Sequence, residues 1–238
     1  MFELRIENET ARITLQRPAA RNAIPLAGWD ALADTVRKAQ GARLLILAGS
    51  PQAFSAGADL GDFAAMSGDQ GAAAAFRQAM RRGIEAVAAC PIPTIALIEG
   101  PCFGAGVALA LACDLRLAGA GARFAITPAK IGISYPQEDV FRLVSLVGRA
   151  QAAKLLYTGT AIGRDEALRI GLADSPAEEL DAVVSALLAN DPASLATLKR
   201  GIALAAAGVS TDAAQDATFD ALVAAPALAE RLAARKPR

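Results

Sequence analysis

Two stretches rich in glycine and alanine, Phe54-Ser55-Ala56-Gly57-Ala58-Asp59-Leu60 and Phe103-Gly104-Ala105-Gly106, are the places where this chain could do chemistry with its backbone. Small residues leave the main chain uncovered, so another molecule can approach its N–H groups closely. The second stretch leads into the small-residue run Val107 to Cys113, which reads as a helix, so its N–H groups sit at a helix start where negative charge is favoured. Two such loops facing each other would hold a carbonyl oxygen that gains charge during a reaction, an oxyanion hole made of main chain alone. The same glycines also permit tight strand-to-helix turns and close packing, and spacing alone does not separate the two roles. Asp59 stands where it can cap a following helix. A dinucleotide-binding reading of Gly104-Ala105-Gly106 fails on two counts: Leu109 holds the third glycine position, and no acidic residue ends a strand about 20 residues on.

Composition narrows the side-chain chemistry further. The 238 residues include no histidine, which removes serine–histidine and cysteine–histidine mechanisms and HExxH zinc sites. The commonest general base is thus absent, and carboxylates are one way to do acid–base work without it. Cys90, Cys102 and Cys113 lack CxxC spacing and suggest neither a metal knot nor a disulfide framework, which fits a reducing cytoplasm. Basic and acidic side chains number 24 each, so no net field draws the chain to nucleic acid or an anionic membrane surface. The longest apolar region, 92–118, is interrupted by Pro93, Glu99, Pro101, Asp114 and Arg116 and does not read as a membrane span. The first eighteen residues alternate charged and apolar positions and do not read as a secretory signal.

The elements that must position these loops follow from periodicity. Phe2–Glu7 and Ala11–Gln16 alternate in polarity around Asn8 and predict a hairpin. A helix is expected over Pro25 to Lys38, with Trp29, Leu32 and Val36 on one face. Arg43–Ala48 and Pro93–Ile98 are short apolar runs, as expected of buried strands, each followed by one of the two glycine-bearing loops and then a helix, the first of which ends near Cys90. Asp114–Ala118 and Arg123–Ile126 predict two more strands, with Asp114 tying down a loop, and from Gln137 onward nearly everything reads as helix. Strands alternating with helices, then helices alone, indicate an α/β core followed by a helical region.

Arg17-Pro18-Ala19-Ala20-Arg21-Asn22-Ala23-Ile24, FSAGADL at 54–60, IEGPCFGAGVALALACDLRLA at 98–118, TGTAIGRDEALRIGLAD at 158–174 and the tail 227–238 together resemble the crotonase (enoyl-CoA hydratase/isomerase) superfamily in order along the chain. The resemblance implies an α/β fold, a spiral of ββα units over 1–185, followed by a C-terminal helical trimerisation region over 186–238 in a homotrimer or homohexamer. It implies an acyl-CoA substrate, coenzyme A being part of that substrate, with no metal or redox cofactor. The thioester oxygen would accept from the backbone N–H groups of Ala58 and Ala105. Ala20 and Arg21, with Ala56, Asp59 and Leu60, would contact substrate, Arg21 meeting phosphate or standing as a solvated surface arginine. Phe63, Met66 and Phe141 would line an acyl pocket or pack in the core.

The pattern departs from the family at its acids. Ala108 and Pro128 occupy the positions of the two hydratase glutamates, and neither moves a proton. Pro136 replaces an aspartate that some members carry downstream, with Glu138 and Asp139 just after it. Glu138 is the candidate relocated catalytic carboxylate; alternatively both acids stabilise the N-terminus of a helix over 137–147. Tyr135 lies where the segment TPAKIGISY is similar to members that decarboxylate methylmalonyl-CoA, as an active-site phenol or a packed core tyrosine. The expected activity is therefore acyl-CoA chemistry of the hydratase/isomerase kind; the alternatives are a decarboxylase-type lyase and a non-catalytic acyl-CoA-binding member.

Overall fold

The computed structural model describes residues 1–50 and 52–234; residues 235–238, the end of the tail that carried part of the resemblance, lie outside the described residues. The hairpin β1 (Phe2–Glu7) and β2 (Thr10–Leu15) turns through Asn8 and Glu9, whose φ angles are 48° and 62°. After α1 (Leu26–Ala39) the chain forms β3 (Leu44–Gly49), α2 (Leu60–Ala65) and α3 (Gln70–Ala88). Then follow β4 (Thr94–Ile98), β5 (Pro101–Phe103), α4 (Ala105–Leu111), β6 (Leu115–Ala118), β7 (Arg123–Ala125) and α5 (Gln137–Thr158). The remainder is β8 (Ile162–Gly163), α6 (Arg164–Arg169), β9 (Ser175–Pro176), α7 (Leu180–Ala189), α8 (Pro192–Ala206), α9 (Ala213–Ala224) and α10 (Pro226–Ala234).

Among the described residues the strands make a sheet in the order β1-β2-β3-β4-β6-β9, parallel from β2 onward, and a second sheet β5-β7-β8. Each of β4 and β6 lies in the first sheet and is followed by β5 or β7 in the second, then by a helix, so the chain winds as repeated ββα units. Two single bridges, Ser55 to Cys102 and Ile24 to Ala58, add the extended segments around Ser55 and Ile24 to the edge of the second sheet.

Burial on both faces explains why β3 is apolar without alternation. Leu45 and Leu47 pack with Trp29, Phe54, Phe76 and Ile84 in the main core, while Leu44, Ile46 and Ala48 pack with Val183, Val184 and Leu187 of α7 on the opposite face. Helices α1 and α3 approach closely because position 83 is glycine: a Cβ there would lie 2.7 Å from the Trp29 carbonyl oxygen. Arg116 is a further fixed point, buried and donating to the carbonyls of Cys113 (2.9 Å) and Leu172 (3.1 Å) and to the Asp174 carboxylate at 2.6 Å. Replacing Arg116 with Met removes one half of this pair and strands two buried carbonyls. The expected cost is about 3 kcal/mol, read as a lowered urea midpoint at unchanged slope.

Several boundaries differ from those expected. The stretch before Cys90 is two helices, because the chain turns through Met66–Asp69, with Gly68 at φ 82° and the Asp69 carboxylate capping α3 through Ala72 N–H at 2.9 Å. The region after Gln137 contains the short strands β8 and β9, and α5 breaks at Gly148 (φ 76°, ψ 163°). α7 runs across the 185/186 division, and its Leu187 and Leu188 still cover the sheet. Asp114 does tie down its neighbourhood, accepting from Thr94 N–H at 2.7 Å and from Lys199 Nζ at 2.7 Å. No helix among the described residues is long and apolar enough to cross a membrane.

Candidate active site

The two small-residue loops are built against each other. Ser55 N–H donates to the Pro101 carbonyl at 3.1 Å and Phe103 N–H to the Ser55 carbonyl at 2.8 Å. Gly57 has φ 95°, and a Cβ there would lie 2.6 Å from the Phe103 carbonyl oxygen and 2.9 Å from Ala105 N, so only glycine lets the loops meet. On the other side, Ile24 N–H donates to the Gly57 carbonyl (2.7 Å) and Asp59 N–H to the Ile24 carbonyl (3.0 Å). This pairing uses the groups flanking Ala58 and leaves the Ala58 N–H on the opposite edge. Ala105, the first residue of α4, has an N–H that precedes the first intrahelical bond. Neither N–H is donated to any group among the described residues.

Ala58 and Ala105 line one cavity of about 80 Å³ together with Phe63, Pro128, Tyr135 and Asp139. Asp139 is its carboxylate, only 2% exposed. Burial raises its pKa to about 6, although the nearby guanidiniums of Arg142, 3.4 Å from Asp139 Oδ1, and Arg81 pull the other way. A carboxylate at that value serves as base or acid near neutral pH. The phenol of Tyr135 donates to the Gly104 carbonyl at 3.0 Å. Free backbone donors beside a tuned carboxylate can stabilise an oxyanion and move a proton next to it. A second cavity, about 1050 Å³, lies between the core and α8, but its acid Asp114 is paired with Lys199 and its Arg116 with Asp174.

The structure brings Ala56, Ala58, Leu60 and Ala105 to the smaller cavity, with Leu60 exposed at its rim. Glu138 does not line the cavity; its side chain is 47% exposed and it pairs with Arg81 at 3.4 Å. One residue along a helix turns a side chain by 100°, and that step puts Asp139 inward and Glu138 outward. Tyr135 lines the cavity, but its proton is committed to a backbone carbonyl. Asp59 is occupied structurally: Arg17 donates to it at 2.5 Å and Gly61 N–H at 2.9 Å, which hold its carboxyl below the usual range. Ala20 and Arg21 stand outside the cavity, at a turn where Arg21 has φ 50° and its carbonyl accepts Ala56 N–H at 2.9 Å. Phe63 lines the cavity and Met66 does not; Met80 does so instead, and Phe141 borders the larger cavity. Ala108 is buried within α4, and Pro128 opens a 3-10 turn in the cavity wall.

Two residues do more in the structure than the sequence assigns them, Asp139 being named there only as an acid at a helix start and Asn22 only within a motif. Asp139 shares the four-residue spacing of the buried Leu143 and Val147 on α5, a signal that was legible had the helix face been counted. Asn22, wholly buried at φ 57°, donates from its amide to the Ala53 carbonyl (2.7 Å) and Ser50 Oγ (3.0 Å). Its own carbonyl accepts from Ser55 Oγ at 2.9 Å, and that oxygen accepts Gly57 N–H at 3.1 Å, so a short hydrogen-bond chain fixes the first loop. The three cysteines are buried free thiols, Cys113 pushed up to about 12, and are inert as nucleophiles.

The sequence profile of the enoyl-CoA hydratase/isomerase family matches residues 5–226. A putative enoyl-CoA hydratase/isomerase family protein from Hyphomonas neptunium superposes with a TM-score of 0.91 at 33% identity, covering 98% of this chain and 93% of that one. An enoyl-CoA hydratase/carnithine racemase from Magnetospirillum magneticum superposes with a TM-score of 0.90 at 30% identity, covering 100% and 94%. Among curated proteins, the probable enoyl-CoA hydratase echA6 of Mycobacterium bovis is 37% identical over 164 residues, 68% of this chain and 65% of that protein. A probable enoyl-CoA hydratase of Rhodobacter capsulatus is 35% identical over 168 residues, 70% and 65%. The matched segments thus span slightly under two thirds of those two curated relatives.

Proposed function

The chain belongs to the enoyl-CoA hydratase/isomerase family, and from that premise we propose that it binds a coenzyme A thioester and shifts a proton within the acyl group. The thioester oxygen accepts from the N–H groups of Ala58 and Ala105, and Asp139 is the base. The observation that carries this reading is a single buried carboxylate, tuned to about 6, in the same cavity as two undonated backbone N–H groups. In a 3-enoyl thioester the carboxylate removes a proton from the α-carbon. The electrons pass to the thioester oxygen as a dienolate held by the two donors, and the Asp139 carboxyl returns the proton to the γ-carbon. The double bond moves, and no water or electron acceptor is consumed. Hydration needs a proton taken from the attacking water and one given to the α-carbon, and Ala108 and Pro128 offer no second group to share that work. The lyase alternative loses support because the Tyr135 proton is given to Gly104. Arg21, exposed and without a side-chain partner among the described residues, is available to a CoA phosphate. Assembly as a homo-oligomer is supported by α8 and α9, which bury no residue in this chain and expose Ile202 (71%) and Phe219 (64%).

The test is incubation with short 2-enoyl-, 3-enoyl- and malonyl-type CoA thioesters in deuterated water, read by mass spectrometry. Interconversion of the enoyl isomers with deuterium at the α- and γ-carbons is expected. A hydroxyacyl product or release of carbon dioxide overturns the single-proton assignment in favour of hydration or decarboxylation. Tight CoA-thioester binding with no exchange at all leaves a binding protein.

A further inference from the structure

The Gly104–Ala105 peptide carries one of the two oxyanion donors on its nitrogen and an unusually loaded acceptor on its oxygen. The Gly104 carbonyl accepts from Tyr135 Oη at 3.0 Å, from Val107 N–H at 3.0 Å and from Ala108 N–H at 3.4 Å. The second and third donors belong to the first turn of α4; the phenol is the only side chain among them. Hydrogen bonds on a peptide oxygen draw electron density along the C–N bond and make the N–H of the same peptide a stronger donor. They also fix its orientation, which matters at Gly104, whose φ of 52° and ψ of −121° lie in a region that glycine occupies without a steric barrier.

We infer that Tyr135 is a positioning residue of the oxyanion hole, acting through the Gly104–Ala105 peptide to orient and polarise the Ala105 N–H toward the thioester oxygen. This inference rests on the proposed thioester reading and changes the part Tyr135 plays in it: the phenol touches the donor, not the substrate. Burial and the neighbouring Asp139 carboxylate push its pKa well above the ordinary phenol value, so the proton that makes the bond stays in place at working pH.

The experiment compares full-length wild type, Tyr135→Phe and a variant with 3-fluorotyrosine at 135, each bound to a saturated short acyl-CoA carrying 13C at the thioester carbonyl. Infrared difference spectroscopy reads the carbonyl stretch, and deuterium exchange gives turnover. In wild type the stretch is expected below its solution frequency. In Tyr135→Phe it returns part of the way, and turnover falls roughly tenfold with thioester affinity kept within about threefold. The more acidic fluorophenol, which preserves the side chain's size, moves the stretch below the wild-type value. An unchanged stretch in both variants beside a shifted wild type overturns the role of Tyr135 alone. No shift in wild type overturns the oxyanion reading, and this inference with it.

Discussion

Asp139→Asn is expected to slow proton exchange on the thioester substrate by about 10³-fold while leaving thioester affinity nearly unchanged, because general base catalysis contributes roughly 10² to 10⁴ and no second carboxylate lines the cavity to replace it. Glu138→Gln, one residue away and outside the cavity, is expected to keep activity within about threefold, a change below the resolution of such mechanistic effects. The wild-type rate should rise with pH through a midpoint near 6, as Asp139 becomes the carboxylate that acts as base, and level off above it. Burial sets that midpoint, Arg142 and Arg81 lower it, and Glu138 and Glu85 raise it. Full activity in Asp139→Asn, or an inactive Glu138→Gln, sinks the assignment of the base.

The same substitution has a signature in stability that a surface aspartate would not give. The folded-state pKa of Asp139 lies near 6 against an ordinary 3.8, so between those values the native protein holds a proton the unfolded chain has released. The stability associated with that proton is complete below about pH 4 and is lost as pH rises through about 6, reaching about 3 kcal/mol at 1.36 kcal/mol per unit. Asp139→Asn cannot ionise. Its stability relative to wild type should therefore improve by that order between pH 4 and pH 8, measured by urea denaturation at each pH. A group held ionisable in the interior at a cost to the fold is what a functional carboxylate requires. A difference that does not change with pH would mean Asp139 titrates normally.

Much of this arrangement could be read from residue types. The continuous apolar run of β3 announced a strand covered on both faces, and two glycine-bearing loops after buried strands announced where backbone donors collect. Phase was what the reading missed. Glu138 and Asp139 are adjacent acids at one helix start, and only the turn between them, set by the packing of Leu143 and Val147, decides which enters the cavity. The part played by Tyr135 was hidden for a different reason. Its partner is a carbonyl 31 residues earlier in the chain, a contact that depends on how the loop before α5 folds back over the start of α4. Asn22 was visible only as part of a motif; its work is to satisfy buried backbone groups of another loop, which no local pattern specifies.

Gly57→Ala is expected to remove at least 10² of the exchange rate without unfolding the protein. The substitution acts in two ways. At φ 95° an alanine is strained by about 1 to 3 kcal/mol, a cost visible as a lower melting temperature. In addition its Cβ would sit 2.6 Å from the Phe103 carbonyl oxygen and 2.9 Å from Ala105 N, contacts that the backbone must relieve by moving apart. Neither loop can retreat as a unit: the first is bonded to Ile24 on one side and the second to Ala125 through Gly104 N–H at 2.9 Å. The displacement therefore falls on the Ala58 and Ala105 donors themselves, and losing one such donor costs about 10² to 10³ in rate. Affinity for free coenzyme A, which has no thioester oxygen to place, should change by less than about threefold, since only the carbonyl loses its donors. Gly41→Ala is the control, because a Cβ there meets nothing within 4 Å and its φ is not positive. If Gly57→Ala exchanges protons at the wild-type rate, the meeting of these two loops is packing alone, and the carbonyl is held elsewhere.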